Sequence, residues 1–187
     1  PDKITRGLGN IDKNGDWQLM DSEGRYLQAD FGKLSIASLY LPSGSAKEER
    51  QLLKYDFMER FTPVLKSFRR KRREYIICGD WNIAHKKIDI KNWRSNQKNS
   101  GFLPEEREWL DLLFDSVGLV DAFRVVNHDE HQYTWWSNRG QAWANNVGWR
   151  IDYQIITPGL ADKVKRVAIY KEQRFSDHAP LITDYDL

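Results

Sequence analysis

Leu34-Ser35-Ile36-Ala37-Ser38-Leu39-Tyr40-Leu41 reads as a β-strand in which both alternating sets of side chains are mostly apolar or small. That pattern predicts a strand covered on both faces. Pro42-Ser43-Gly44 stops it. Downstream, Tyr55, Met58, Phe61, Leu65 and Phe68 recur at steps of three and four. The spacing predicts a helix from about Ala46 to Phe68 with one apolar stripe. Pro63 is expected to bend it or end it early. Tyr75-Ile76-Ile77-Cys78 is a second short strand, running into Gly79-Asp80.

Outward from this strand–helix–strand unit, Gly7, Gly9, Asn14-Gly15 and Glu23-Gly24 mark turns between short early strands. The polar, Asn-rich stretch from Asp89 to Gly101 reads as loop. Leu103-Pro104-Glu105-Glu106 opens a second helix, with Pro and acids in its first turn. Trp109, Leu113 and Val117 would line its buried face, and Gly118 would end it. Strands are expected around Tyr133–Trp136, Ile151–Thr157, Val164–Tyr170 and Leu181–Tyr185. The mixture predicts a single layered domain of α/β (α+β) class over residues 1–187.

Composition agrees with a folded domain. The 187 residues are 40% hydrophobic and 30% charged, enough apolar matter to offset chain entropy. A net charge of +2 permits a polyanionic partner without demanding one. The single Cys78 excludes an intramolecular disulfide. No stretch approaches the ~20 apolar residues of a spanning helix, so a soluble, cytoplasmic protein without a membrane partner is expected. The run Arg69–Arg73 is read as the close of a helix, where cations suit the negative dipole end, in preference to a nucleic-acid patch. Eight Trp residues in one chain serve either cores or stacking platforms.

Three acid-bearing clusters sit at strand ends: Gly79-Asp80-Trp81-Asn82, Arg150-Ile151-Asp152-Tyr153 and Ser176-Asp177-His178-Ala179-Pro180. Singly, an Asp at a strand end is usually a turn former or cap. Together they offer carboxylates, an imidazole and a carboxamide. Such a set could hold a hard divalent cation and position a water, because Mg²⁺ takes a few oxygen ligands and keeps several waters.

These clusters, with Asn96-x-x-Asn99-x-Gly101-Phe102-x-Pro104-x-Glu106-Arg107 and Asn146-x-Gly148-Trp149-Arg150-Ile151-Asp152-Tyr153, resemble exodeoxyribonuclease III and its apurinic/apyrimidinic endonuclease relatives in the endonuclease/exonuclease/phosphatase superfamily. The Ser-Asp-His-x-Pro ending and the Gly-Asp-x-Asn strand end are shared across that superfamily. The Asn-rich loop and the Asn-Val-Gly-Trp-Arg-Ile-Asp stretch point to the repair-nuclease branch. The resemblance implies a four-layer α-β-β-α sandwich with the active site at one sheet edge. It implies that Asp80 orients or deprotonates a water, with Asn82 holding it. His178 would contact the scissile phosphate, Asp152 would orient His178, and Asp177 would serve the metal together with Asp80 and Asn82. Tyr40 matches the family's substrate-side tyrosine. Asn96 and Asn99 would contact phosphates, which fixes register without reading sequence. Trp135 and Trp149, with Asn146 nearby, match the walls of a pocket for a flipped abasic sugar. Trp109, Trp136 and Trp143 are left as core or surface residues, and His85 as structural. The implied cofactor is Mg²⁺, with Mn²⁺ as an alternative. The implied partner is duplex DNA with abasic sites or 3′ ends, and the implied state is a monomer.

The chain departs from the family at its start. The family opens with a strand carrying an Asn, then one ending in Gln-Glu-Thr or similar, whose Glu is a principal metal ligand. Pro1-Asp2-Lys3-Ile4 looks instead like an interior segment. An N-terminally truncated fragment, with an exposed sheet edge and a weakened metal site, is therefore expected.

Three functions compete. The first is metal-dependent hydrolysis of the phosphodiester 5′ to abasic sites, with 3′→5′ exodeoxyribonuclease activity. The second keeps the superfamily chemistry on a phosphoinositide or sphingolipid. The third is a fragment that binds DNA without cutting it.

Overall fold

The computed structural model describes residues 1–45 and 47–187. Strands β1 (Lys3–Arg6), β2 (Tyr26–Phe31) and β3 (Leu34–Tyr40) run antiparallel in succession, with the short helix α1 (Gln18–Ser22) between the first two. Helix α2 (Glu48–Arg70) then returns the chain to β4 (Glu74–Asp80), which lies parallel to β3. A parallel pair requires such a crossover. The chain continues through α3 (Trp93–Asn96), α4 (Pro104–Asp111), β5 (Val120–Asp121) and α5 (Ala122–Val126). It ends with β6 (Trp135–Trp136), β7 (Gly148–Trp149), β8 (Asp152–Ile156), β9 (Val164–Ile169) and β10 (Leu181–Tyr185). Six strands form one sheet in the order β1-β2-β3-β4-β8-β5, while β9–β10 and β6–β7 are separate ribbons.

One face of the sheet packs on α2 and α4. Tyr26, Ala37, Leu39, Tyr75, Ile77, Tyr153 and Ile155 meet Phe57, Phe61, Leu65 and Phe68 of α2 and Trp109 and Leu110 of α4. Phe68 stacks on Tyr75 with ring centroids 4.1 Å apart. The α2 stripe is the expected one, except that Tyr55 is only partly buried and Lys54 is wholly buried. Pro63 does not end α2, which continues to Arg70. Its side chain faces solvent, as does Glu59 one turn back, so water can satisfy the carbonyl that loses its donor. Ala46, the expected start of this helix, lies outside the described residues.

The other face is covered over only half its width. Residues Ile76, Ala122, Ile156, Leu160 and Val164 form a small core there, against β9 and β10. The β1–β3 half is open, with Ile4 49%, Leu27 47% and Ile36 39% exposed. This corrects the expectation that β3 is covered on both faces: the small core under the β9–β10 ribbon takes in Leu34 at the start of β3 but leaves Ile36 exposed. The Asn-rich stretch is also more ordered than a loop. It contains α3, in which Asn96 Nδ2 donates to Asn92 O at 2.7 Å. Among the described residues no helix is long and apolar enough to cross a membrane.

Candidate active site

The sheet register brings three predicted residues into one row. Tyr40 pairs with Asp80, and Asp80 pairs with Asp152, at adjoining ends of β3, β4 and β8. Partners in register share a face, so the phenol and both carboxyls point to the same side. Gly79 permits this close approach. It sits at φ 141°, and a Cβ there would lie 1.9 Å from the Leu39 carbonyl oxygen.

After β4 the chain turns sharply. Asn82 occupies the left-handed region at φ 51°, which Asn tolerates better than most residues. Its backbone N–H donates to Asp80 Oδ1 at 2.8 Å, and its Nδ2 donates to Leu41 O at 2.9 Å and to Asp80 Oδ2 at 3.0 Å. The Asn82 amide nitrogen is thereby committed, and only its oxygen is left for a ligand.

His178 arrives from the segment before β10. Its Nδ1 lies 2.9 Å from Asp152 Oδ2. The segment is pinned to β6 by Trp136 N–H to Asp177 O at 3.0 Å and Ala179 N–H to Thr134 O at 2.8 Å. Trp135 Nε1 donates to Asp177 Oδ2 at 3.0 Å, so one tryptophan both walls the site and aims a carboxylate. Thr134, fully buried, accepts from the N–H groups of Ile151 and Asp152, each at 3.1 Å, and so sets the start of β8. Sequence reading passed over Thr134, since a lone Thr in a strand carries no signal.

The electrostatics follow from crowded carboxyls. Burial first, and the Asp152 charge second, push the Asp80 carboxyl up to about 7. Burial disfavours the His178 imidazolium, but the hydrogen bond and charge of Asp152 outweigh it and raise the imidazole above its usual range.

These groups open into a cavity of about 910 Å³ whose lining includes Tyr40, Asp80, Asn82, Asn99, Trp135, Trp149, Asp177 and His178. The rings of Trp135 and Trp149 meet edge-on, 6.1 Å apart at 88°. Gly101 lies beneath Trp149, where a Cβ would come within 3.0 Å of the ring. Lys98 and Arg139 add positive charge at the mouth. Three predicted residues stand apart from the lining, and one of them, Asp152, reaches the site through His178. Asn96 accepts from Asn99 Nδ2 at 2.8 Å and braces the loop. Asn146 spends its side chain on Trp136 Nε1 and His131 O, both at 3.1 Å, so in this structure it clamps the Trp136 loop. His85 lies outside the cavity and meets Asp111 Oδ1 at 2.6 Å.

Among the described residues no three His, Cys, Asp or Glu side chains converge as a metal cage. Asp80 and Asp177 nonetheless both supply hard oxygen donors to the cavity lining. One or two carboxylates are what Mg²⁺ uses when it keeps most of its waters. The donor chemistry therefore fits a loosely held, water-rich cation.

The sequence pattern of the Endonuclease/Exonuclease/phosphatase family matches residues 14–178. The chain belongs to the Endonuclease/Exonuclease/phosphatase family. Within that family it is similar to the exodeoxyribonuclease of Bacillus subtilis (strain 168), 34% identical over 165 residues, covering 86% of this chain and 64% of that protein. It is likewise similar to the DNA repair nuclease APEX1 of Danio rerio, 34% identical over 190 residues, covering 97% of this chain and 56% of that protein. The chain thus spans between half and two thirds of these relatives. Its fold is that of an AP endonuclease from Archaeoglobus fulgidus (TM-score 0.84, 24% identity, 99% of this chain and 71% of that one). A Neisseria 3′ phosphatase bound to a product DNA hairpin has the same fold (TM-score 0.86, 23% identity, 100% and 72%).

Proposed function

We propose that this chain carries the catalytic face of a DNA repair nuclease, hydrolysing the phosphodiester 5′ to abasic sites in duplex DNA and removing nucleotides from 3′ ends. The observation that carries the reading is the Asp152–His178 pair beside Asp80, opening into a cavity walled by Trp135 and Trp149. The Asp80 carboxyl faces the cavity, where a carboxylate can take a proton from water. Asp80 takes that proton as the water attacks phosphorus, and the bond to the upstream 3′ oxygen breaks, the oxygen leaving as a 3′ hydroxyl with a proton from solvent. His178, whose protonated form Asp152 favours, stabilises the phosphate oxygens through the ring nitrogen that Asp152 does not use. Tyr40 donates a further hydrogen bond. Asn99 sits on the phosphate side, while Trp135 and Trp149 receive an unpaired sugar and exclude a full base by size. Asp177, Asp80 and the Asn82 oxygen would hold Mg²⁺ or Mn²⁺, which would supply Lewis-acid stabilisation of the phosphate charge. The proposed acting form is a monomer on duplex DNA.

The test is a substrate panel. Abasic duplex, undamaged duplex and a phosphoinositide are offered with Mg²⁺, and product is measured from each. Turnover of the abasic duplex alone, or of it and 3′ ends, is expected; phosphate release from the phosphoinositide only would overturn the reading. The cations Lys98 and Arg139 in the cavity lining favour one second reading, duplex binding without cutting. That reading predicts a retarded complex, steeply salt-dependent, with no product.

A further inference from the structure

Lys54 and Glu106 form an ion pair at 2.5 Å in which both side chains are 0% exposed. Neither lines the catalytic cavity. Replacing such pairs with apolar residues of similar volume is often neutral or stabilising, so stability alone does not account for this one. What the pair touches is informative. The second hydrogen bond of Lys54 Nζ goes to Asn82 O at 2.9 Å, the carbonyl of the left-handed residue that follows Asp80 and Trp81. Glu106 Oε2 accepts from Gly101 N–H at 2.7 Å and Leu103 N–H at 3.0 Å. Its Oε1 also accepts from Gln51 Nε2 at 3.1 Å and Ser100 Oγ at 3.3 Å. One buried pair therefore ties α2 to two pieces of the cavity wall, the Asp80–Asn82 turn and the Asn99–Gly101 loop beneath Trp149.

We infer that Lys54 and Glu106 are positioning residues, Lys54 holding the Asn82 turn that aims Asp80 and Glu106 holding the phosphate-side loop against it. The inference rests on the nuclease reading above. The left-handed backbone at Asn82 is a strained place to anchor a water-holding amide, and Lys54 supplies the one charged donor on its carbonyl. Glu106 keeps Gly101 under Trp149, so the pocket wall and the water site are fixed by the same ion pair. A turn released by about 1 Å would lower kcat on the order of 10²-fold while leaving the outer phosphate contacts in place.

The test compares wild type, Lys54→Met and the double variant Lys54→Met/Glu106→Gln on an abasic duplex. Thermal midpoint, kcat and duplex Kd are read for each. The single variant leaves a buried unpaired carboxylate and should lose both stability and kcat. The double variant removes that charge and keeps an acceptor for Gly101 and Leu103, so its midpoint should recover. Its kcat should stay about tenfold or more below wild type, because Asn82 O still lacks its donor, with Kd within about twofold. Recovery of kcat along with the midpoint would show a merely structural pair and overturn the inference. So would a double variant that remains unstable and loses kcat and Kd together. A wild-type chain that leaves the duplex intact defeats the nuclease reading and the inference with it, whereas wild-type cutting with unchanged variant kcat defeats the inference alone.

Discussion

His178 Nδ1 meets Asp152 Oδ2 at 2.9 Å, and the same carboxylate stands in register beside Asp80. Asp152 thus acts in two directions, favouring charge on the imidazole and disfavouring it on the neighbouring carboxyl. Asp152→Asn should lower cleavage about 10²-fold or more, the scale of a lost acid–base partner, with duplex affinity little changed. Single-turnover cleavage beside a binding titration checks this. In the same variant the His178 imidazole should titrate at lower pH than in wild type, read by NMR. Its raised value in the folded state also fixes a sign. The stability it contributes is complete below the unfolded value of about 6.5 and is lost as pH rises through the folded value.

Asp80 has the opposite consequence. A carboxyl pushed up to about 7 prefers to be neutral in the folded state. Its ionisation therefore opposes folding increasingly from about pH 4, the unfolded value, up to about 7. Asp80→Asn should abolish cleavage yet stabilise the chain by up to about 4 kcal/mol at pH 8, with little gain at pH 4. Thermal midpoints at the two pH values, taken in EDTA, give the comparison.

The network behind β8 is structural. Arg150, wholly buried, donates to Asp89 Oδ1 and Asp121 Oδ2, each at 2.8 Å, and Arg124 adds a bond to Asp89 at 2.6 Å. Burial opposes the Asp89 charge, but the two guanidiniums override it and hold the carboxyl down at about 2. Arg150→Met should cost about 3–5 kcal/mol by stranding buried carboxylates. In wild type the contribution of Asp89 is present above about pH 4 and should be lost as pH falls through about 2. Urea unfolding across that acid range measures both effects.

Thr134→Val keeps the shape and removes the oxygen that accepts from Ile151 and Asp152. The buried Ile151 N–H and the partly buried Asp152 N–H lose their partner, at about 1–3 kcal/mol for the buried one and less for the other. Cleavage should fall further than stability explains, since Asp152 loses its alignment. A plot of kcat against unfolding free energy, with Thr134→Ser as the restoring variant, separates the two.

Much of this site was legible in the sequence because it is local. Asp80 and Asn82 share one turn, Asp177 and His178 share another, and each sits at the end of an apolar run long enough to read as strand. Their meeting was legible only through resemblance, since nothing in the spacing of Asp80, Asp152 and His178 announces a common register. Lys54 was hidden for a different reason. A lysine beside an apolar stripe reads as solvated, and only the tertiary partner Glu106 makes its burial affordable. Asn146 read as a pocket residue because it adjoins Gly148-Trp149, whereas Trp136 Nε1 needed a buried acceptor and took it. Pro63 misled for a physical reason too, since a helix tolerates proline where the freed carbonyl faces water.

The most direct measurement is the product of one cut. A labelled duplex with a single abasic analogue is incubated with the chain in Mg²⁺ and in EDTA, and the fragments are sized at nucleotide resolution. The account predicts one EDTA-sensitive cut immediately 5′ to the lesion, leaving a 3′ hydroxyl. An intact strand under both conditions, or a cut that EDTA does not suppress, would contradict it.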